Sequence, residues 1–337
     1  MFKNFKLGIG PMSVDLIDCV SNYAKKNKKY IFLIATRNQI DAKKFGGGYV
    51  NNFCTEKYSN YISNLRNKYL VLCRDHCGPH IKDKEKKISF KKTFENCLES
   101  LETDIKFGFK ILHIDASSCR NKYEIAKKLI DHCLNYAREL NKKIYFEFGT
   151  EDHGFKSSVE QFKLDLKFCK NYKEIKFLVA NTGSLVKETF QVGEFQHINA
   201  KKFAHLSKKY NIFVKEHNAD YLDKNDIILR KNCGIMSINI APELAYIQNK
   251  LLYDLSVNSK GEKYFNLFYN KVISGDKWRK WQYGKISDLT KFLCSAHYYY
   301  STKEYRKLMD YINKNLNFRN NLNYRVSKIL DKFYVND

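Results

Sequence analysis

Histidine and carboxylate side chains that could bind a divalent metal occur directly after apolar runs of this chain. His76 and His217 each follow such a run, and so do Glu151 and His153. Imidazole and carboxylate groups from separate segments are typical ligands of a divalent cation, with one coordination position left for substrate. Such a metal would act as a Lewis acid on a carbonyl or enediolate oxygen. The sequence therefore predicts a divalent metal site, with zinc as the expected metal and Glu151 or His153 as the third ligand.

Two acidic residues accompany these candidates. Asp75 directly precedes His76, and its side chain cannot point the same way if the chain is still extended there. We therefore expect Asp75 to be a neighbouring proton carrier or a group that supports the ligands. Asp115 follows another apolar run and could equally be only a helix N-cap. His113 lies inside that run, and we expect it to be a satisfied interior residue.

Short apolar runs rich in β-branched residues must position these side chains. Eight of them alternate with stretches of helical length, at residues 5–10, 30–35, 69–73, 110–114, 143–148, 175–180, 211–215 and 234–240. Strands that alternate with helices predict βαβ units and a parallel sheet. No GxGxxG follows the first run, as an open doubly wound sheet would favour. Eight repeats over roughly 240 residues instead match a (β/α)8 TIM barrel.

The predicted barrel occupies residues 1–250. Residues 251–337 are helical and aromatic, and we expect them to form the last barrel helix and a C-terminal helical extension of the same domain. Active sites of such barrels lie at the carboxyl ends of the strands. Polar side chains in those positions are therefore candidate substrate-binding residues, and they are Arg37, Asn38, Gln39, Ser117, Asn181, Gly183, Ser184, Asn218, Asp220 and Asn239.

The composition limits the classes of partner. The formal net charge is +24, but the lysines are scattered along the whole chain. This scatter indicates a compositional bias, so we predict no nucleic-acid binding, although a basic background suits phosphorylated substrates. No apolar run reaches the length of about 18 residues that a membrane span needs, so no membrane partner is expected. With no secretory signal and no CxxC pair, we predict a cytoplasmic protein whose cysteines are buried free thiols.

Several segments together resemble a known family. They are IATRNQIDAKKFGGGYVN, LCRDHCGPH, HIDASSC, FGTEDHG, EFQHIN, VKEHNADY and GDKWRKWQYGKISDLTKFL. The family is the accessory (Z-type) subunits of class II D-tagatose-bisphosphate aldolases, which are relatives of class II aldolases. The resemblance spans most of the chain, and the DH-x-GP and E-H-x-x-D-Y pieces are its more specific parts.

The resemblance implies roles for the metal-binding candidates. His76 and His217 would be metal ligands, and Asp75 would be the acid that serves the aldehyde oxygen. Class II aldolases place a third metal histidine after the sixth strand, where this chain has Asn181. Glu151, near the strand-five glutamate of class II enzymes, or His153 would have to compensate.

Other matches concern the substrate. Asp115 and Ser117 match a D-A/G-S turn of the family, and Asn239 matches an asparagine near the ketose-phosphate headgroup. Gly183 and Ser184 would lie where class II enzymes bind phosphate. We take Asp75, Asp115 and Glu151 as the candidate catalytic residues.

The leading hypothesis is a metal-dependent enzyme that acts on a ketose phosphate or related sugar. It would cleave or form a carbon–carbon bond by aldol chemistry, or epimerise a sugar by retro-aldol cleavage and re-addition. The alternative is a non-catalytic subunit that stabilises a partner tagatose-bisphosphate aldolase, which the missing histidine after strand six favours. By analogy with other barrels, we expect a homo-oligomer.

Overall fold

Strands and helices alternate along the chain in the computed structural model, which describes residues 2, 4–149, 157–257 and 259–334. Its strands are β1 (Lys6–Ile9), β2 (Ile31–Thr36), β3 (Leu70–Cys77), β4 (Ile111–Asp115), β5 (Tyr145–Gly149), β6 (Ile175–Val179), β7 (Val186–Lys187), β8 (Phe190–Gln191), β9 (Phe213–Glu216) and β10 (Ile235–Ile240). Its helices are α1 (Val14–Asn27), α2 (Thr55–Asn64), α3 (Phe90–Lys106), α4 (Lys122–Glu139), α5 (Val159–Cys169), α6 (His197–Lys208), α7 (Lys224–Asn232), α8 (Pro242–Ser256), α9 (Glu262–Ile273), α10 (Asp288–Ser295), α11 (Lys303–Asn315) and α12 (Phe318–Asp331).

Eight of the strands close into a parallel barrel, in the order β1-β2-β3-β4-β5-β6-β9-β10. The seam between the first and last strands is complete, since Gly8 of β1 is in register with Asn239 of β10 and with Phe32 of β2. The predicted TIM barrel is therefore confirmed. The short strands β7 and β8 form a separate antiparallel hairpin, which follows β6 above the carboxyl ends of the barrel strands.

Side chains of β2 show how the apolar runs serve two layers. Ile31 and Leu33 face outwards and join the core between the sheet and the helices, whereas Phe32 and Ile34 belong to a separate cluster. That cluster lies inside the barrel, because the rings of Phe32 on β2 and Phe177 on the opposite strand β6 are 6.0 Å apart. Burial on both faces explains why the strands are near-continuous apolar runs. A polar residue that interrupts such a run is therefore buried whichever face it lies on.

The C-terminal helices pack around the barrel seam. α8 begins at Pro242, so residue 251 lies within this last barrel helix. α12 packs against α1 and α8, and the hydroxyl of Tyr23 on α1 donates to Asp331 on α12 at 2.9 Å. Lys332, just after α12, pairs with Glu243 on α8 at 2.7 Å. The extension is thus joined to both ends of the barrel sheet.

All ten cysteines are free, and all but Cys119 are buried. This confirms the predicted free thiols. Within the described ranges, no helix is both long and apolar enough to cross a bilayer.

Candidate active site

An irregularity at the end of β3 brings Asp75 and His76 to the same side. The pairing of β3 with β4 shifts between Arg74 and Cys77, and His76 has a φ of 41°, which is uncommon for a bulky residue. As a result, Oδ1 of Asp75 and Nε2 of His76 are 4.0 Å apart. The condition for the two side chains to point in different directions, an extended chain through His76, is therefore not met.

His76 and His217 are each oriented by a carboxylate. Nδ1 of His76 is 2.7 Å from Oδ2 of Asp115, and Nε2 of His217 is 2.7 Å from Oε1 of Glu147. The other ring nitrogens of the two histidines face each other, with Nε2 of His76 3.1 Å from Nδ1 of His217. Carboxylates that hold the outer nitrogens of histidines in this way are typical of metal sites.

Asp115 is fixed by its neighbours as well as by His76. Its Oδ1 accepts a hydrogen bond from the backbone N–H of Ser117 at 3.0 Å. A Cβ at Gly78 would lie 1.5 Å from the carbonyl oxygen of Asp115, so the loop after β3 can approach only because residue 78 is glycine. The following helix α4 has Asn121 at its N-cap position. Asp115 is therefore an orienting partner of His76 rather than only a helix cap.

His113 belongs to the same cluster, although we expected it to be a satisfied interior residue. Its ring centroid lies 4.7 Å from that of His76 and 5.2 Å from that of His217. Its Nδ1 accepts from the backbone N–H of His76 at 3.2 Å and lies 3.3 Å from Oδ1 of Asp75. Its Nε2 is buried without a hydrogen-bond partner in the described part of the chain. His113 is interior, as expected, but its hydrogen bonding is incomplete because only Nδ1 has partners among the described residues.

A buried ion pair lies beside the histidine cluster and includes the carboxylate that orients His217. Nζ of Lys215 on β9 pairs with Oε2 of Glu147 on β5, and their side chains are only 1% and 3% exposed. Burial opposes ionisation of Glu147, but Lys215 outweighs this effect and lowers the pKa of Glu147 to about 2. Glu147 therefore stays ionised and holds Nε2 of His217.

One proton is shared between the facing nitrogens of His76 and His217. Burial disfavours a charge on His76, but the carboxylates of Asp75 and Asp115 outweigh it and raise its pKa to about 10. Burial lowers the pKa of His217 to about 4. For Asp75, burial is outweighed by His76 and His217, which keep its pKa below the ordinary value. The charged ring of His76 therefore donates to the neutral ring of His217, a proton position assigned from the hydrogen-bond network.

These residues fit a divalent metal. One ligand atom from each of Asp75, His76, His113 and His217 lies within 4.8 Å of the others. In a tetrahedral site with metal–nitrogen bonds of about 2.0–2.1 Å, two nitrogens would be roughly 3.3 Å apart. The distance between the facing nitrogens of His76 and His217 is 3.1 Å. The separation of these nitrogens therefore suits two ligands of one cation, whose binding would displace the shared proton. The predicted ligands Glu151 and His153, and with them the proposed catalytic role of Glu151, lie outside the described residues.

Arg37 is held in a buried ion network under α3. Its guanidinium donates to both carboxylate oxygens of Glu85, at 2.8 and 2.7 Å, and to Asp41 at 3.2 Å and Ser100 at 3.0 Å. Its neighbours on the loop are also engaged, since Asn38 accepts from the backbone N–H of Asp83 at 3.2 Å. Arg37 and Asn38 therefore hold the loop after β3, and the structure does not bring Arg37 into the histidine cluster.

The predicted rim residues after β2 and β6 are mostly bonded within the protein. Gln39 accepts from the backbone N–H of Thr36 at 2.8 Å and donates to Pro11 at 3.2 Å. Asn181 accepts from the backbone N–H of Gly183 at 3.0 Å. The hydroxyl of Ser184 donates to Glu216 at 2.5 Å and accepts from Arg230 at 2.9 Å. These contacts give the loop after β6 its shape and leave the hydroxyl of Ser184 buried.

The remaining candidates differ in their surroundings. Asp220 accepts from the backbone N–H groups of Ala241 and Glu243, at 2.8 and 2.9 Å, so it caps the start of α8. Asn218 is exposed, with a φ of 58°. The side-chain amide of Asn239 is buried without a hydrogen-bond partner among the described residues, and it fills the space beside Gly8. The side-chain amide of Asn239 is therefore not engaged by the described residues, although it is buried.

Glu147 and Lys215 were not among the candidates, because both lie inside strands. The available signal was a charged residue that interrupts an apolar run, Glu147 in KIYFEF and Lys215 in NIFVK. In a barrel strand buried on both faces, such a residue is accommodated only with a buried partner.

Comparisons with known proteins show a shared fold. No family model and no curated protein matches this chain. A probable tagatose 6 phosphate kinase from Sinorhizobium meliloti 1021 is 14% identical, with a TM-score of 0.76 over 98% of this chain and 99% of the other. The YdjI aldolase from Escherichia coli K12 is 12% identical, with a TM-score of 0.56 over 98% and 91%. A fructose-bisphosphate aldolase from Campylobacter jejuni is also 12% identical, with a TM-score of 0.57 over 98% and 90%. At these identities the likeness establishes the fold alone.

Proposed function

We propose that this protein is a metal-dependent, class II aldolase-like enzyme that acts on a ketose phosphate or a related sugar. The observation that carries the proposal is the pair of facing nitrogens of His76 and His217, 3.1 Å apart, with each ring held from behind by a buried carboxylate. Two of the similar structures are of aldolases, which agrees with the family resemblance of the sequence. Together these features favour aldol chemistry among the many reactions that such barrels support.

In the proposed site, His76, His113 and His217 hold the metal, and zinc is the metal that we propose. A bound divalent cation would polarise the ketose carbonyl and stabilise negative charge on its oxygen. Oδ1 of Asp75 lies 3.3 Å from His113 and 4.0 Å from His76 and His217, so it is placed to move a proton beside the metal. In cleavage, the substrate hydroxyl would lose its proton and the adjacent carbon–carbon bond would break, so that the aldehyde leaves. The electron pair of that bond would pass to the ketose fragment, which then takes up a proton. Asp75 carries the proton to or from the hydroxyl oxygen.

Epimerisation needs the same groups. If the aldehyde turns over and is re-added before release, the hydroxyl-bearing carbon is inverted and no fragment leaves. The residues that bind metal and carry the proton are then unchanged, so product analysis decides between cleavage and epimerisation.

An accessory subunit is the second candidate function. By the family resemblance, Asn181 stands where class II aldolases have the third metal histidine, and its side-chain oxygen accepts from the N–H of Gly183 at 3.0 Å. A subunit that only stabilises a partner aldolase would not need a complete metal site. Such a protein would be inactive alone and would raise the activity or the stability of a co-purified aldolase.

The direct test is metal analysis of the chain purified without added metal or chelator, followed by assay of ketose phosphates for cleavage and epimerisation. We expect close to one divalent ion per chain, and turnover that a chelator abolishes and zinc, manganese or cobalt restores. If the chain takes up none of these metals, the metal-dependent mechanism is excluded and the accessory subunit becomes the preferred function.

We expect Asp115→Asn to weaken metal binding about 10–100-fold, the usual effect of losing a carboxylate that orients a metal histidine. Competition with a coloured chelator would measure the dissociation constant. The matched control is Asp310→Asn, since Asp310 is exposed on α11. Equal affinities of the two variants would contradict the orienting role of Asp115.

A further inference from the structure

The loop after β6, residues 182–196, contacts the chain on both sides of His217. This loop contains the hairpin of β7 and β8. Glu216, the last residue of β9, precedes His217, and Asn218 follows it. Different side chains of the loop hold these two flanks, so each contact can be removed by itself.

Glu216 is held by two hydroxyl groups of the loop after β6. Its Oε1 accepts from the hydroxyls of Thr182 and Ser184, both at 2.5 Å. Its Oε2 accepts from Nε of Arg230 on α7 at 2.8 Å. All four residues are buried, and a buried carboxylate with charged and hydroxyl donors on both oxygens is held in one orientation. These bonds therefore fix the end of β9 at the residue before His217.

Gln191 on β8 holds the chain on the other side of His217. Its Nε2 donates to the carbonyl oxygens of Asn218 and Asp220, at 2.5 and 2.7 Å, and its Oε1 accepts from the backbone N–H of Leu185 at 3.1 Å. Asn218 has a φ of 58°, which is uncommon for a residue other than glycine. The chain therefore leaves His217 through a left-handed residue whose carbonyl is bonded to Gln191.

The loop after β6 is itself closed, so it can serve as a fixed support. The backbone N–H of Gln196 donates to the carbonyl of Thr182 at 2.7 Å, which joins the two ends of the loop. A Cβ at Gly193 would lie 1.8 Å from the carbonyl oxygen of Gly183. The two arms of the loop thus approach each other at a distance that only glycine at position 193 allows.

The C-terminal extension holds the tip of the hairpin from outside. The backbone N–H of Glu188 donates to the carbonyl of Trp281 at 2.7 Å. The carboxylate of Glu188 accepts from the backbone N–H of Tyr283 at 3.1 Å, and the rings of Phe190 and Tyr283 are 6.1 Å apart. The hairpin is therefore fixed on the side that faces away from His217 as well.

We infer that Thr182 and Gln191 are positioning residues for His217. Both act through the backbone on either side of His217 rather than through its ring. Glu147 sets the rotation of the ring, whereas the loop after β6 sets the place from which the ring reaches His76. This inference rests on the proposed function for the role of His217 as a metal ligand. It gives Gln191, which the sequence did not single out, a role in the geometry of the metal site.

The first part of the test needs no metal. In metal-free protein labelled with 15N at histidine, the ring signals of His217 can be identified by their loss in His217→Ala. We expect Gln191→Leu and Thr182→Val, which nearly keep the size of the side chain, to shift these signals. Thr182→Ser retains the hydroxyl and should return them to the positions of the wild type. The signals of His205, which is exposed on α6, should not move in any of these variants.

The second part uses cobalt(II), whose visible absorption bands depend on the geometry of its ligands. We expect Gln191→Leu to alter the bands and to weaken cobalt binding about tenfold, the lower end of the range for losing a group that supports a metal ligand. Gln191→Glu keeps the oxygen that accepts from Leu185 but loses the donor to the two carbonyls, so its effect should be at least as large.

The matched control is Gln161→Leu. Gln161 on α5 also donates two hydrogen bonds through Nε2, to Tyr123 at 2.8 Å and to Asp165 at 2.9 Å, but it does not contact the flanks of His217. Its removal should leave the cobalt bands and the cobalt affinity unchanged. Urea denaturation of every variant separates a loss of stability from a displacement of His217.

Unchanged His217 signals in Gln191→Leu and Thr182→Val would overturn the inference. Equal changes of the cobalt bands in Gln161→Leu and Gln191→Leu would also overturn it, because the effect would then be a general one. The role of Thr182 would be refuted if Thr182→Ser shifted the signals as Thr182→Val does. Failure of the proposed function would look different, since the wild type would bind no cobalt while Gln191→Leu still shifted the His217 signals.

Discussion

The His217→Ala protein should lose both its bound metal and its activity, and we expect kcat/KM to fall about 1000-fold or more. The metal is expected to contribute several kcal/mol to stabilising charge in the transition state, and each ~1.4 kcal/mol corresponds to a factor of ten in rate. His217 supplies one of the two facing nitrogens, and removing its ring also leaves Glu147 without its 2.7 Å partner. Elemental analysis and steady-state kinetics on the same preparation would measure both effects.

Two comparison variants separate the loss of the metal from the other effects of the substitution. His205→Ala removes an exposed histidine of α6 and should change neither quantity. Asp75→Asn should retain the metal yet lose about 100–10,000-fold in kcat, the range expected when a proton carrier is removed. A His217→Ala protein that keeps its full metal content would show that the ligands lie elsewhere.

Replacing Lys215 with methionine should destabilise the protein by about 3–5 kcal/mol, because removing one partner of a buried ion pair leaves the other charge buried without compensation. The side chains of Lys215 and Glu147 are 1% and 3% exposed, so water cannot take the place of the ammonium group. The free energy of unfolding, obtained from urea denaturation followed by circular dichroism, would measure this loss.

The chain offers a matched control for that measurement. Lys128→Met removes a lysine that pairs with Glu124 at 2.7 Å on the exposed face of α4, and it should leave the free energy of unfolding almost unchanged because exposed ion pairs contribute little. The double variant Glu147→Gln/Lys215→Met should recover much of the lost stability, because no unpaired charge remains. Equal stability of Lys215→Met and Lys128→Met would show that the buried pair of Lys215 and Glu147 does not stabilise the fold.

The barrel could be predicted from the sequence because its signals are local and repeated. Runs such as 30–35 and 175–180 are apolar and short, and they alternate with helical stretches. The positions of Asp75, His76, Asp115 and His217 at strand ends then followed from the rule that the carboxyl ends of barrel strands meet at one rim.

The orientation of side chains within the site could not be predicted in the same way. The residue type of His76 does not indicate that its backbone is left-handed. That backbone conformation turns the side chains of Asp75 and His76 to one side. His113 and Glu147 enter the cluster because the registers of β4 and β5 place them directly opposite each other. Register depends on how the whole sheet closes, and a single strand does not encode it.

The sequence also did not indicate which residues a charged side chain would pair with. Arg37 follows a strand, as a substrate-binding residue of the rim would. Its guanidinium is instead bonded to the carboxylate of Glu85, which is 48 positions away in the chain. The ligand roles predicted for Glu151 and His153, which lie outside the described residues, stay predictions.

The packing of α12 against α1 and α8 has a consequence for how the chain acquires its structure during synthesis. α1 and α8 follow the two strands of the closing seam, β1 and β10, and α12 covers these helices only after residues 318–331 have left the ribosome. Until then the surfaces of α1 and α8 that α12 covers stay exposed, and exposed apolar surface invites contacts with other chains. Protection by chaperones should therefore matter most late in translation, after every strand has already been made.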